Sequence, residues 1–86
     1  MVAVTKLILD VLKPHNPNAL DFSRRIAEIG SGYQVRLTVV EMDENTETLQ
    51  VVVQSDDIDF EAVQAAISEM GGSLHSIDEV EVYSGP

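Results

Sequence analysis

Residues 33–54 read YQVRLTVVEMDENTETLQVVVQ, and the alternation within this stretch decides the fold. Tyr33, Val35, Leu37 and Val39 alternate with Gln34, Arg36 and Thr38. Leu49, Val51 and Val53 alternate with Gln50, Val52 and Gln54. A period of two marks a β-strand with one buried face. Between the two runs, Glu41-Met42-Asp43-Glu44-Asn45-Thr46 is polar and reads as the turn of a β-hairpin.

Working outward, a helix flanks the hairpin on each side. Upstream, Phe22, Ile26 and Ile29 recur at helical spacing with Ala19 one turn earlier, while Arg24, Arg25 and Glu28 fall on the other side. Asn16-Pro17 reads as the start of this helix, a capping side chain followed by a proline whose missing N–H costs nothing there, and Gly30 and Gly32 close it. Downstream, Asp59 caps a helix whose apolar stripe is Phe60, Val63, Ile67 and Met70. Ile58 and Val63 are spaced as a hydrophobic staple, and Gly71-Gly72 ends the helix.

The outermost segments are strands again. Val2 to Leu12 is β-branched or aliphatic apart from Lys6 and Asp10, with Leu7, Leu9 and Val11 on one face, and Lys13-Pro14-His15-Asn16-Pro17 stops it. Leu74 to Val82 supplies the last strand, so residues 1–83 form one domain and 84–86 a tail. The order strand, helix, strand, strand, helix, strand with two right-handed crossovers defines an α+β ferredoxin-like βαββαβ sandwich. Its antiparallel sheet has the order 4-1-3-2, with both helices on one face.

Such a sheet leaves its other face uncovered. Alternation places Val4, Lys6, Ile8, Asp10 and Leu12 there from the first strand, Arg36, Thr38 and Val40 from the second, and Gln50, Val52 and Gln54 from the third. His75 and Glu79 join from the fourth. A face this rich in aliphatic side chains is expected to meet a partner, and so small a domain gains stability by association. Association of identical copies through that face or the strand edges is the expectation.

Composition narrows the partners. Fifteen acidic and five basic residues give a formal charge of −10. With so few lysines and arginines, and four scattered aromatic residues, the chain lacks the means to hold nucleic acid or an anionic membrane. No apolar run approaches the roughly 20 residues of a membrane span, and the N-terminal segment is not a signal peptide; a cytoplasmic protein is expected. The acid-rich, lysine-poor composition suits a salt-adapted (halophilic) source, where a Debye length of about 3 Å at 1 M screens self-repulsion. Absence of cysteine removes disulfides, thiolate metal sites and thiol nucleophiles.

The candidate chemistry lies in a few polar residues. Lys13 and His15 occupy the loop between the first strand and a helix start, a common ligand-holding position. Asp10 and Arg36 sit on the uncovered face, and the expected strand order brings His75 toward Asp10 and Lys6. These five, Asp10, Lys13, His15, Arg36 and His75, are the candidate ligand-binding residues. Asp10, Asp78 and Glu79 are the candidate ligands for a hard divalent cation, calcium or magnesium. The acidic groups around Asp56-Asp57 and Asp43-Glu44 read first as solvated surface, and no nucleophile motif or phosphate loop is present.

Four segments carry a family likeness: Leu9-Asp10-Val11-Leu12-Lys13-Pro14-His15, Glu41-Met42-Asp43-Glu44-Asn45-Thr46-Glu47, Asp57-Ile58-Asp59-Phe60, and Gly71-Gly72-Ser73-Leu74-His75-Ser76-Ile77-Asp78-Glu79-Val80. On these the chain resembles, over nearly its whole length, the small archaeal group known as domain of unknown function 211. The resemblance implies a ferredoxin-like subunit of a homo-oligomeric ring for which divalent cations are plausible ligands. It implies no activity. Three readings follow: a non-enzymatic, ligand- or ion-binding oligomer of regulatory type, an enzyme using His15 or His75 as general base, and a purely structural assembly.

Overall fold

A computed structural model describes residues 1–86. Its elements are β1 (Val2–Pro14), α1 (Ala19–Ala27), β2 (Gln34–Met42), β3 (Thr46–Gln54), α2 (Phe60–Glu69) and β4 (Ser73–Ser84). The four strands pair antiparallel in the order β2-β3-β1-β4, the same arrangement as 4-1-3-2 read from the other edge, with both helices on one face. The chain folds as an α+β ferredoxin-like sandwich.

Alternation along β1 and β3 builds the core. Leu7, Leu9 and Val11 stand opposite Val53, Val51 and Leu49, and all six are buried. Phe22 and Ile26 from α1, and Val63 and Ile67 from α2, close over them. Ile58 is buried beside Val63, as the staple requires. Asp59 caps α2 by accepting from the Ala62 amide at 3.1 Å.

The start of α1 lies two residues beyond its expected place. Asn18, not Asn16, is the cap, and it accepts from the Asp21 amide at 2.8 Å. Pro17 stays outside the helix because its carbonyl is taken by the Lys13 ammonium, which pulls residues 14–17 into a wrap around that side chain. At the far end of α2, Gly71 has φ +81°, in the left-handed region that costs glycine nothing. A Cβ on Gly72 would come within 2.9 Å of Ile67 Cγ2 and 3.1 Å of the Ile67 carbonyl.

Register shifts mark extra residues in both edge pairings. Between β1 and β4 they fall at Thr5 on β1 and at His75 and Asp78 on β4; between β2 and β3 the extra residue is Val40. Thr5 has the further effect of turning Val4 toward the core, so Val4 leaves the uncovered face. That face is made of rows across the sheet, Gln34/Gln54/Lys6/Glu81, Arg36/Val52/Ile8/Glu79, Thr38/Gln50/Asp10/Ser76 and Glu41/Thr48/Leu12/Ser73. Only Ile8, Leu12 and Val52 among them are aliphatic, and all three are half-buried. The face is therefore more polar than simple alternation implies.

The exposed aliphatic surface lies elsewhere. Ile77, Val80 and Val82 stand opposite Leu9, Leu7 and Val4, on the helix side of β4, yet about half or more of each remains exposed. Val2 extends this surface along the β1/β4 ribbon, while exposed Tyr83, opposite Ala3, faces the other side; the ribbon runs past the last β1–β3 pair and draws the molecule out to 48 × 22 × 17 Å.

Candidate functional site

Lys13 continues the inward-facing series Leu7, Leu9, Val11, so the strand carries an ammonium group to the core side of the sheet. The side chain is 0% exposed and its Nζ lies 6.0 Å from the centre of the Phe22 ring. A buried cation must be paired and fully hydrogen-bonded. Here Glu47 stands directly opposite in the β1–β3 register and accepts through Oε1 at 3.0 Å. The carbonyls of Pro14 and Pro17 accept at 2.8 Å each and that of His15 lies at 3.5 Å, so every ammonium proton has an acceptor.

Glu47 is itself only 7% exposed. Its second oxygen, Oε2, lies 2.9 Å from Nδ1 of His15. The other ring nitrogen, Nε2, lies 3.1 Å from the Asp43 carbonyl and 3.0 Å from the Glu44 carbonyl. The hydrogen bond to Glu47 raises the His15 pKa above 6.5, aided by the Glu44 carbonyl. The same bond, with that from Lys13, lowers the Glu47 pKa below 4.5. The stability contributed by ionised Glu47 is thus present above pH 4.5 and is lost as the pH falls through its depressed value.

Two of the candidate binding residues, Lys13 and His15, are therefore brought together, by Glu47. The other candidates are not gathered with them. Arg36 stands on the exposed outer strand β2 opposite Val52 and forms no ion pair within the chain. Asp10 lies between Gln50 and Ser76, because the extra residue in β4 puts Ser76 where His75 was expected. His75 is exposed at that irregularity. Asp78 accepts from the Ser76 hydroxyl at 2.7 Å, while Glu79 pairs with Lys6 at 3.1 Å.

Asp10, Asp78 and Glu79 accordingly do not form a cation site within one chain. Nowhere do three or more histidine, aspartate or glutamate side chains come together in a group able to hold a metal ion. Two shallow depressions are present, of about 360 Å³ beside Thr5, Gln54, Asp56 and Glu81, and about 280 Å³ at the turn Asp43–Thr46. Both are lined by polar residues alone, and neither is lined by a histidine. No helix is long and apolar enough to cross a membrane.

The fold and this internally bonded motif define a small ferredoxin-like domain whose most distinctive polar side chains are engaged with one another. The model of one family matches residues 5–84, a family described as uncharacterised (Uncharacterized ArCR, domain of unknown function 211). A curated relative, an uncharacterised protein of the archaeon Methanocaldococcus jannaschii designated MJ0319, is 36% identical over 80 residues, covering 93% of this chain and 82% of the relative. The chain belongs to this uncharacterised family.

Proposed function

We propose that this protein is a non-enzymatic subunit of a homo-oligomer that binds a small ligand or divalent cation, in a regulatory role, at the seams between its copies. The observation that carries this reading is the uncovered edge strand β4, twelve residues long, with Ile77, Val80, Val82 and Tyr83 exposed along it. Bulges and carboxylates blunt part of this edge, but exposed aliphatic side chains along so long a strand are of the kind that native edges usually cover.

Charge selects how copies meet. The outer strand β4 carries Asp78, Glu79 and Glu81, so β4 against β4 sets carboxylates against carboxylates. The opposite edge, β2, carries the unpaired Arg36 together with the exposed Val39, Val40 and Met42. β2 and β4 run antiparallel within the sheet, so β4 of one copy laid against β2 of the next would continue it; Arg36 and Glu79 share a cross-strand row within one sheet, and a register that keeps this row between copies sets them side by side. This contact is head-to-tail and closes into a ring when the rotation between copies permits. Seams of this kind bring Arg36 on β2 and His75 and Asp78 on β4 to polar groups of another copy, with Asp10 one strand further in, which supports a ligand or a calcium or magnesium ion there.

The general-base reading has less support. His15 has both nitrogens occupied within the chain, and exposed His75 faces neither depression. The −10 charge suits a cytoplasm rich in salt, where association gains from screening between acidic copies. Native mass spectrometry tests the proposal. A mass that is a multiple of 9.4 kDa, with a retained ligand or with a melting temperature raised by calcium or magnesium at constant ionic strength, is the expected result. A lone 9.4 kDa species in high salt counts against it.

A further inference from the structure

We infer that His15 is a proton-operated latch that holds the tip of the β2–β3 hairpin against the loop following β1. The inference stands on contacts within one chain and is independent of self-association. Both ring nitrogens of His15 face acceptors only: the Glu47 carboxylate at 2.9 Å on one side, and the Asp43 and Glu44 carbonyls at 3.1 and 3.0 Å on the other. A neutral imidazole has one N–H and would leave one of these contacts as lone pair against lone pair. The imidazolium alone donates to both sides. The ring bridges elements 28 and more residues apart in sequence, and its side chain is 40% exposed, so protons reach it freely.

The charged groups around the ring are few. Glu47 from β3 bonds it directly, and Lys13 from β1 shares that carboxylate from the other oxygen. The carboxylates of Asp43 and Glu44 are exposed and form no ion pair, and Asp21 in the first turn of α1 lies by Arg24 instead. When His15 loses its proton, Glu47 keeps Lys13, so the core side of the network stays closed. Nε2 or Nδ1 then no longer donates, and the turn loses a tie to the body of the protein. Residues 43–45 join β2 to β3, so release of the latch frees the exposed outer end of β2, Val40 to Met42.

The direction of the effect follows from linkage. The latched ring holds its proton more tightly than a free imidazole, so the latch is fully engaged below pH 6.5. It weakens from there through the raised pKa. Native-state hydrogen exchange across pH 5.5–9, normalised to intrinsic rates, reads this at the Asp43 amide, which closes the turn on the Thr46 carbonyl at 2.8 Å. Release coupled to one proton lowers its protection as the pH rises from 6.5 through the raised pKa, with a slope of at most about tenfold per pH unit, after which it levels off. The Val51 amide in the core is the control and stays constant. In His15→Gln the Asp43 protection is low and independent of pH. Nitrogen-15 spectra of the wild-type ring at pH 6 show both nitrogens protonated. A singly protonated ring at pH 6, or Asp43 protection that does not change across the wild-type transition, overturns the inference, whether or not the variant folds.

Discussion

Lys13→Met removes about 3–5 kcal/mol of folding stability, read as a lower urea midpoint and melting temperature. The substituted side chain fills much of the same volume, so the loss is electrostatic in origin. Without the ammonium, the Glu47 carboxylate keeps its burial with only the part-exposed His15 ring left beside it, and the carbonyls of Pro14 and Pro17 lose the donor at 2.8 Å. Removing the fully buried partner of such a pair typically costs this much, because buried acceptors lose the charge that compensated them. Small domains have total stabilities of about 5–15 kcal/mol, so the variant is marginal at best near 37 °C. Pairing the substitution with Glu47→Leu removes the orphaned charge, and the double variant is expected to lose less than the single one. A Lys13→Met protein as stable as the parent would show that the pair contributes little.

The second large effect concerns association. Replacing both Val80 and Val82 by lysine leaves the fold nearly untouched, because these side chains are already 56% and 57% exposed and substitutions at such positions usually change stability by about 0.5 kcal/mol or less. The same change puts two hydrated charges into the proposed seam, and the assembly is expected to fall to the 9.4 kDa subunit in analytical ultracentrifugation. Adding lysine also reduces the net negative charge and so weakens repulsion between copies, which makes dissociation harder to attribute to charge alone. Leu20→Lys, at a 57% exposed position on α1 and outside both seam strands, is the control and keeps the mass of the parent.

Much of this architecture is legible in side-chain alternation. Leu7, Leu9 and Val11, set against Leu49, Val51 and Val53, specify the central pair of strands, and the apolar stripes specify the helices. The same parity contains the site. Lys13 follows Val11 by two residues and Glu47 precedes Leu49 by two, so both belong to the buried face, and their direct opposition is the natural end of the series. Glu47 is easily passed over because it sits next to Asp43 and Glu44, where an acidic residue reads as solvated turn.

The irregularities of β4 are harder to read. In Ser73-Leu74-His75-Ser76-Ile77-Asp78-Glu79-Val80 the aliphatic residues are three apart, a spacing that fits neither a plain strand nor a single bulge. Two extra residues, His75 and Asp78, restore Leu74, Ile77 and Val80 to the helix side. They also separate His75 from Asp10. Asn16 and Asn18 both precede α1 as capping residues, and the choice between them is made by Lys13, whose hold on the Pro17 carbonyl delays the helix.

The central claim, that β4 is an edge only in the isolated chain, is tested most directly by hydrogen exchange at those β4 amides that do not bond to β1. In the assembled protein they are predicted to be protected to the level of interior strands, and to lose that protection in the Val80→Lys, Val82→Lys variant. Exchange of these amides in the wild-type protein at the rate of an unstructured chain, under the same salt, would contradict it.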